Sequence, residues 1–533
     1  MLTVEFMENK GRIQKSAKNI VSGVVFRLVS ILTAFIVRTV FIKCLGNEYL
    51  SVNGLYSSIL SMLSLAELGF GTAMVYSMYK PLADRDYEKL AQLMDLYKKA
   101  YSIIGKVILV AGLCLVPFLD LLIKNKPDIP GLTFYYLLFL GNSVISYWFF
   151  AYRSSVLQAD QRASVISNYS SVFNLIKTVL QIVVLLVFHN FTIYLLTQIV
   201  CTILQNTALA LKVKKDYPIF GKHTKSELPA AEKKKIFSDV RALMIQKVSF
   251  RVLNTSDSLI ISAFVGINWV GLLSNFILVE EAVVAVLSQI FGAITASMGN
   301  FFAKESKEDG YRLFQRLDFM NHWLYGFSAI ALVTLLNPFV ELWLGKDYTV
   351  DQIVVVALCT RFFVEGYMNL MSSMRSTMGL FTQGKYLPLL VAALNIGLSI
   401  GLSYPLGIAG VLFATPLSRC IINVWYMPLV IHRDGFNKKV SPFYGKLLAK
   451  VALLSVIVLV MHLISYIVFS KGVTIMSFIV MTCITAVVPN AIMILLYHRT
   501  DEYRYFKGLV MGIFREVISR FLSRLSRVTA REK

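Results

Sequence analysis

Long stretches of this chain are apolar on every side rather than along one stripe. Ile20–Ile42, Val451–Phe469 and Thr474–Tyr497 each reach the roughly 20 residues that span a hydrocarbon layer of about 30 Å. A soluble core helix is shorter and keeps a polar face, so runs of this kind point to lipid. The pattern predicts helices near 20–42, 50–78, 99–123, 132–152, 165–188, 191–211, 243–266, 271–300, 319–344, 350–373, 386–404, 408–431, 447–469 and 474–497. In lipid only helices or closed barrels satisfy the backbone, and these lengths select helices. The expected fold class is all-α: a polytopic membrane protein with about 14 transmembrane helices.

Composition agrees. Of 533 residues, 56% are hydrophobic and 16% charged, and mean hydropathy is +0.64; a soluble domain carries about 25% charged residues. These values exclude a disordered chain, a secreted disulfide scaffold and an ordinary cytosolic enzyme. The net charge of +22 raises nucleic-acid binding as a reading, but its placement argues otherwise. With the N-terminus inside, about 39 of the 53 Lys and Arg fall on the cytoplasmic side, and about five (Lys43, Lys124, Lys126, Lys346, Lys471) fall outside. A basic cytoplasmic face beside anionic lipid accounts for the charge, and no nucleic-acid partner is expected. The first helix contains Arg27 and Arg38 and lacks a small-residue cleavage site, so it reads as a retained span. Cys44, Cys114, Cys201, Cys359, Cys420 and Cys483 show no CxxC spacing and read as small apolar fillers. The histidines form no HxxxH pair, and no GxxxxGK[ST] loop occurs; neither a metal nor a cofactor is expected.

An internal duplication organises the chain. Phe26-Arg27-Leu28 matches Phe250-Arg251-Val252, Gly54-Leu55-Tyr56-Ser57 matches Gly271-Leu272-Leu273-Ser274, and Arg153-Ser154-Ser155 matches Arg375-Ser376-Thr377, all at offsets of about 220 residues. Six helices per repeat place both repeats in the same orientation. The expected plan is two six-helix lobes in parallel pseudo-twofold repeat, with a substrate site between them, plus two extra helices. The divisions are 1–211 for the first lobe, 212–242 for a basic, flexible cytoplasmic linker, 243–431 for the second lobe, 447–497 for the extra helices and 498–533 for a tail. Phe506, Leu509, Ile513, Val517, Phe521 and Leu525 recur at helical steps in that tail, opposite Arg520, Arg524, Arg527 and Arg531. It reads as an amphipathic helix on the cytoplasmic leaflet, with a partner-binding helix as the alternative.

Charge inside the spans is the functional signal, since a central Arg or Lys costs about 2.5–3.5 kcal/mol even on lenient scales. Arg27 lies about 12 Å into its helix, Arg38 returns to the same face, and Arg251 is the repeat partner of Arg27. Lys247, Arg251, Asn254, Ser258 and Ser262 form one stripe of the seventh helix; Lys177 shares a face with Ser170, Asn174 and Gln181 on the fifth. Arg361 and Arg419 add charge from the tenth and twelfth helices. Lys106 and Lys450 lie near helix ends and are expected to snorkel; Arg361 has Glu365 one turn away as a rival partner. Arg27, Arg38, Lys177, Lys247, Arg251, Arg361 and Arg419 are therefore the candidate anion-binding residues, a guanidinium fork suiting phosphate oxygens. Glu67, Asp257, Glu281 and Glu365 are candidates for binding a coupling H+ or Na+, with direct use of the membrane potential as the alternative.

The stretch Leu63-Ser64-Leu65-Ala66-Glu67-Leu68-Gly69-Phe70-Gly71-Thr72-Ala73-Met74, continuing to Tyr79-Lys80-Pro81-Leu82-Ala83, resembles polysaccharide repeat-unit flippases. These are the Wzx-like members of the multidrug/oligosaccharidyl-lipid/polysaccharide (MOP) superfamily. The segment Arg153–Arg162 and the twelve-plus-two helix plan are similar as well. The resemblance implies export of undecaprenyl-diphosphate-linked oligosaccharide across the bacterial cytoplasmic membrane by alternating access through a cationic cavity. N- and C-termini would be cytoplasmic, with membrane lipids and polysaccharide polymerase or assembly proteins as partners. Arg27 and Arg251 match family basic positions on helices one and seven. Two other readings stay open: a membrane glycosyltransferase or polymerase using polyprenyl-linked sugars, and a drug or cation exporter on the same scaffold. Short outer loops such as Lys124–Gly131 leave little room for the first, and bases rather than acids on helices one and seven disfavour the second.

Overall fold

The computed structural model describes the backbone of residues 2–508, 511 and 512 apart from 68, 218–227, 305, 381, 382 and 385. The side chains of 1–29, 66, 68, 239, 242, 243, 245, 246, 250, 254, 293–297, 299–301 and 303–305 are outside the described set. In order, the helices are α1 (Leu2–Leu63), α2 (Phe70–Ala83), α3 (Tyr87–Leu115), α4 (Leu132–Trp148), α5 (Ala163–Phe188), α6 (Phe191–Asp216) and α7 (Ala230–Ile260). They continue as α8 (Asn268–Lys304), α9 (Lys307–Leu344), α10 (Gln352–Thr377), α11 (Leu387–Val430), α12 (Ser441–Val468) and α13 (Ile475–Tyr497). No strand occurs among the described residues. Some helix starts use a side chain to take an orphan amide. Asp86 accepts from the Lys89 N–H at 3.0 Å, Asn190 from Ile193 at 3.1 Å, and Thr474 with Ser477 closes a capping box at α13.

Among the described residues, ten helices are long and apolar enough to cross a membrane, or eleven if α4 and the helix 151–159, bent by 42°, form one span. The protein is thus a multi-pass helical membrane protein, and the expected count of fourteen is not reached on this criterion. Three features account for the difference. The helix expected near 20–42 and the first half of that near 50–78 run together as α1, broken at Gly46 (φ 84°), the second half being the turn Ser64–Glu67 and α2; those near 386–404 and 408–431 run together as α11, broken at Gly407 (φ 55°). Both breaks use left-handed backbone that glycine adopts without a Cβ clash. The described part of the seventh helix that is apolar, Thr255–Val265, is too short to count as a span. The two ends of the expected basic linker are helical: Lys212, Lys214 and Lys215 belong to α6, and Lys233, Lys234 and Lys235 to α7, while 218–227 lie outside the described residues. Glu232 is paired with Lys89 of α3 at 2.8 Å.

The chain divides into two compact units, Met1–Leu278 with Tyr386–Thr415, and Val279–Lys385 with Pro416–Lys533. In the first, Tyr56 and Tyr136 are fully buried, their hydroxyls donating to the Leu132 carbonyl (3.1 Å) and the Gly112 carbonyl (3.0 Å). The repeat-related Gly54 and Gly271 meet at one helix crossing. A Cβ on Gly54 would lie 3.1 Å from Val270, and one on Gly271 would run into Ser51 and Asn47. Small residues let two backbones approach closely, as membrane helices require. In the second unit, Phe314, Met371, Met374 and Ile431 form a buried core. Lys450, expected to snorkel, is instead ion-paired with Asp318, both side chains largely buried; lipid leaves no cheaper partner for either charge. Phe506, the first apolar residue of the tail pattern, packs against Phe319 and Trp323 rather than standing free. The rest of that pattern, from Leu509 with the exception of Met511 and Gly512, lies outside the described residues.

Candidate anion and cation sites

Within the first unit, three basic side chains are held in or beside the spans by neutral oxygens. On α7, Lys247 donates to Thr72 Oγ1 of α2, and Arg251, one turn on, donates to Ser61 Oγ of α1 at 3.0 Å. Arg38, on the first segment of α1, donates to Ser274 Oγ and to Asn275 Oδ1 (3.2 Å) of α8. Hydroxyl and amide oxygens are acceptors that an arriving anion can replace without leaving a carboxylate buried and unpaired. Arg38 also lines a cavity of about 510 Å³ with Asn53, Ser171, Asn174, Thr178 and Tyr194, a volume ordinary for a small-molecule site. Lys177 is half-buried, and it is its neighbour Thr178 that faces the cavity. The Arg27 side chain lies outside the described residues.

The second unit treats its bases differently. Arg361 closes on Glu280 of α8, with Nη2 at 3.0 and 3.2 Å from the two carboxylate oxygens. Arg419 of α11 pairs with Glu365 of α10 at 3.1 Å. The tie expected between Arg361 and Glu365 within α10 is therefore not made. A cross-helix partner lets both groups of each pair stay inside the unit, whereas a same-helix tie would leave Glu280 and Arg419 uncompensated. These two guanidiniums are neutralised by carboxylates, unlike Arg251 and Lys247 with their hydroxyl partners.

The four acids also separate. Glu365 is the partner of Arg419. Glu281 is exposed on α8, with Ser288 and Gly292 exposed further along that helix. Glu67 sits in the turn Ser64–Glu67 between α1 and α2 and accepts from Tyr101. Asp257 is only 9% exposed, and its Oδ2 accepts from Thr415 Oγ1 at 3.3 Å. Asn395 donates to the same Thr415 oxygen (2.9 Å) and accepts from Ser256 (3.5 Å). One turn beyond Asn395, the fully buried Ser399 hydroxyl has no hydrogen-bond partner among the described residues. A carboxylate with amide and hydroxyl oxygens is a set that a proton or a hard monovalent cation fits. Asn395, Ser399 and Thr415 were missed in the sequence. Their signal was present: Asn395, Ser399 and Ser403 recur every four residues along an otherwise apolar helix.

Bases and acids held inside broken apolar helices define a multi-pass membrane protein whose architecture recurs in solved MOP transporters. A lipid II flippase, MurJ, in an inward closed conformation superposes with a TM-score of 0.61 at 14% identity, covering 90% of this chain and 99% of that one. A multidrug resistance MATE family transporter of the MOP superfamily, inward-facing, gives 0.57 at 15% identity over 81% and 98%. The Vibrio cholerae MATE transporter VcmN gives 0.51 at 17% identity over 80% and 98%. No curated protein sequence matches the chain. The profile of the polysaccharide biosynthesis protein family matches residues 16–298, more than half of the chain, and the protein belongs to that family.

Proposed function

We propose that the protein is a flippase moving undecaprenyl-diphosphate-linked oligosaccharide repeat units from the cytoplasmic to the outer leaflet of the bacterial cytoplasmic membrane. Its product feeds assembly of a surface polysaccharide (capsule, O-antigen or exopolysaccharide) by polymerase and assembly proteins. Both termini are cytoplasmic. The observation that carries this reading is the set Arg38, Lys247 and Arg251 donating to Ser274 and Asn275, Thr72 and Ser61.

In this reading the diphosphate displaces hydroxyls from Arg251 and Lys247, with Arg27 contributing from the matching position of the first repeat. Arg38 and the polar walls of its cavity take the phosphate or sugars at a later stage, and Lys177 lies close by on α5. The polyprenyl chain stays in lipid. Closing one side and opening the other is alternating access, driven by loss of repulsion between cations once the anion is bound. An inside-negative potential favours outward movement of negative charge by about 2.3 kcal/mol per charge per 100 mV. Asp257, with Asn395, Thr415 and Ser399, is the group through which H+ or Na+ is coupled.

The test is purified protein in liposomes loaded with polyprenyl-diphosphate-linked oligosaccharide, scored for glycan reaching the opposite leaflet unaltered. Arg251→Ala and Arg38→Ala should each slow transport at least about tenfold, the worth of one charge-assisted hydrogen bond, with insertion and melting unchanged. Undiminished transport in Arg251→Ala refutes the anion site, and a new glycosidic bond in the product would favour the enzyme reading.

A further inference from the structure

Within the second unit, a cavity of about 250 Å³ opens where α9 and α12 begin and α13 ends. Ends of spanning helices lie at the level of the lipid headgroups, where tyrosine and tryptophan gather. Here Phe319, Phe443 and Tyr497 wall the cavity, Phe319 meeting Tyr497 edge-on at 5.3 Å. Four charged side chains also line it: Asp318, Lys446, Lys450 and Glu502. Asp318 and Lys450 are spent on each other in the buried pair already described. Among the described residues, neither Lys446 nor Glu502 makes an ion pair. Lys446 is exposed and Glu502 half-buried. The segment carrying Glu502 is pinned against α9. Tyr503 stacks on Trp323, Phe506 packs on Phe319 and Trp323, and the Tyr503 N–H donates to Thr500 Oγ1 at 3.3 Å.

We propose that this cavity binds the headgroup of a zwitterionic aminophospholipid, with its phosphate on Lys446 and its ammonium on Glu502. The lining offers one cation and one anion that are not already compensated, the mirror of phosphoethanolamine. An anionic headgroup, or free phosphate, would satisfy Lys446 but set a second negative charge beside Glu502. A primary ammonium donates charge-assisted hydrogen bonds to a carboxylate, which a trimethylated one cannot do. The aromatic walls attract the cation and give the glycerol and first acyl carbons an apolar seat. Bound there, the lipid bridges α9, α12 and α13.

The test is native mass spectrometry of the purified full chain titrated with dioleoyl phosphatidylethanolamine, phosphatidylcholine or phosphatidylglycerol. Melting temperature is recorded with and without each lipid. The parent should bind phosphatidylethanolamine about tenfold more tightly than the other two, the worth of one charge-assisted hydrogen bond, and that lipid should raise its melting temperature most. Glu502→Gln should erase the preference while melting as the parent does without lipid. Glu502→Lys should reverse it in favour of phosphatidylglycerol. Lys446→Gln should weaken all three lipids by a similar factor, because each carries the phosphate. Equal binding of the three lipids by the parent, a preference that survives Glu502→Gln, or undiminished binding in Lys446→Gln overturns the proposal.

Discussion

Replacing Arg361 by Met separates a structural cation from a ligand-binding one. The guanidinium and the Glu280 carboxylate are 15% and 7% exposed and 3.0 Å apart. At an effective dielectric of about 20, that separation is worth about 5 kcal/mol of attraction, much of it offset by the several kcal/mol needed to take each ion out of water. The net contribution of the pair is therefore small, but removing one partner strands the other. Arg361→Met leaves a carboxylate in a dry interior and should cost about 3–5 kcal/mol. The double replacement Arg361→Met with Glu280→Met removes both charges and should recover to within about 2 kcal/mol of the parent. Thermal unfolding of the purified protein in one detergent, with the parent and both variants run together, measures this. Pyrophosphate affinity of the double variant should match the parent. Normal melting in Arg361→Met together with lost pyrophosphate affinity would refute the reasoning and return Arg361 to the anion site.

Two further expectations follow from particular contacts. Asp257→Asn should abolish the dependence of transport on a Na+ or H+ gradient while leaving pyrophosphate binding unchanged; gradient dependence that survives would remove Asp257 from coupling. Gly271→Ala should destabilise by about 1–3 kcal/mol, because its Cβ would lie 2.9 Å from the Asn47 carbonyl oxygen with the Ser51 and Asn47 side chains closer still. Gly445→Ala, where nothing lies within 4 Å, is the control, and equal melting of the two variants would discount the crossing.

The sequence alone determined that the chain is helical and crosses the membrane, because apolar length and scarce charge are local quantities that sum along the chain. It also marked the intramembrane bases and acids, since each is costly wherever it lies. The motif from Leu63 to Ala83 carried the family resemblance. Which charges compensate one another was decided only by the tertiary structure. Arg361 had a legible neighbour in Glu365, yet it meets Glu280, 81 positions away in sequence, and Glu365 goes to Arg419. Helical periodicity gives the face of a residue but not the helix opposite it. Asp257 illustrates the same limit: its position was readable, but the oxygens around it come from α11, and only folding brings them together. The tyrosines near Glu67 were hidden for a related reason, since Tyr97 and Tyr101 look like ordinary core aromatics until a break in the neighbouring helix places the Glu67 carboxylate at the Tyr101 hydroxyl, to which Tyr97 in turn donates.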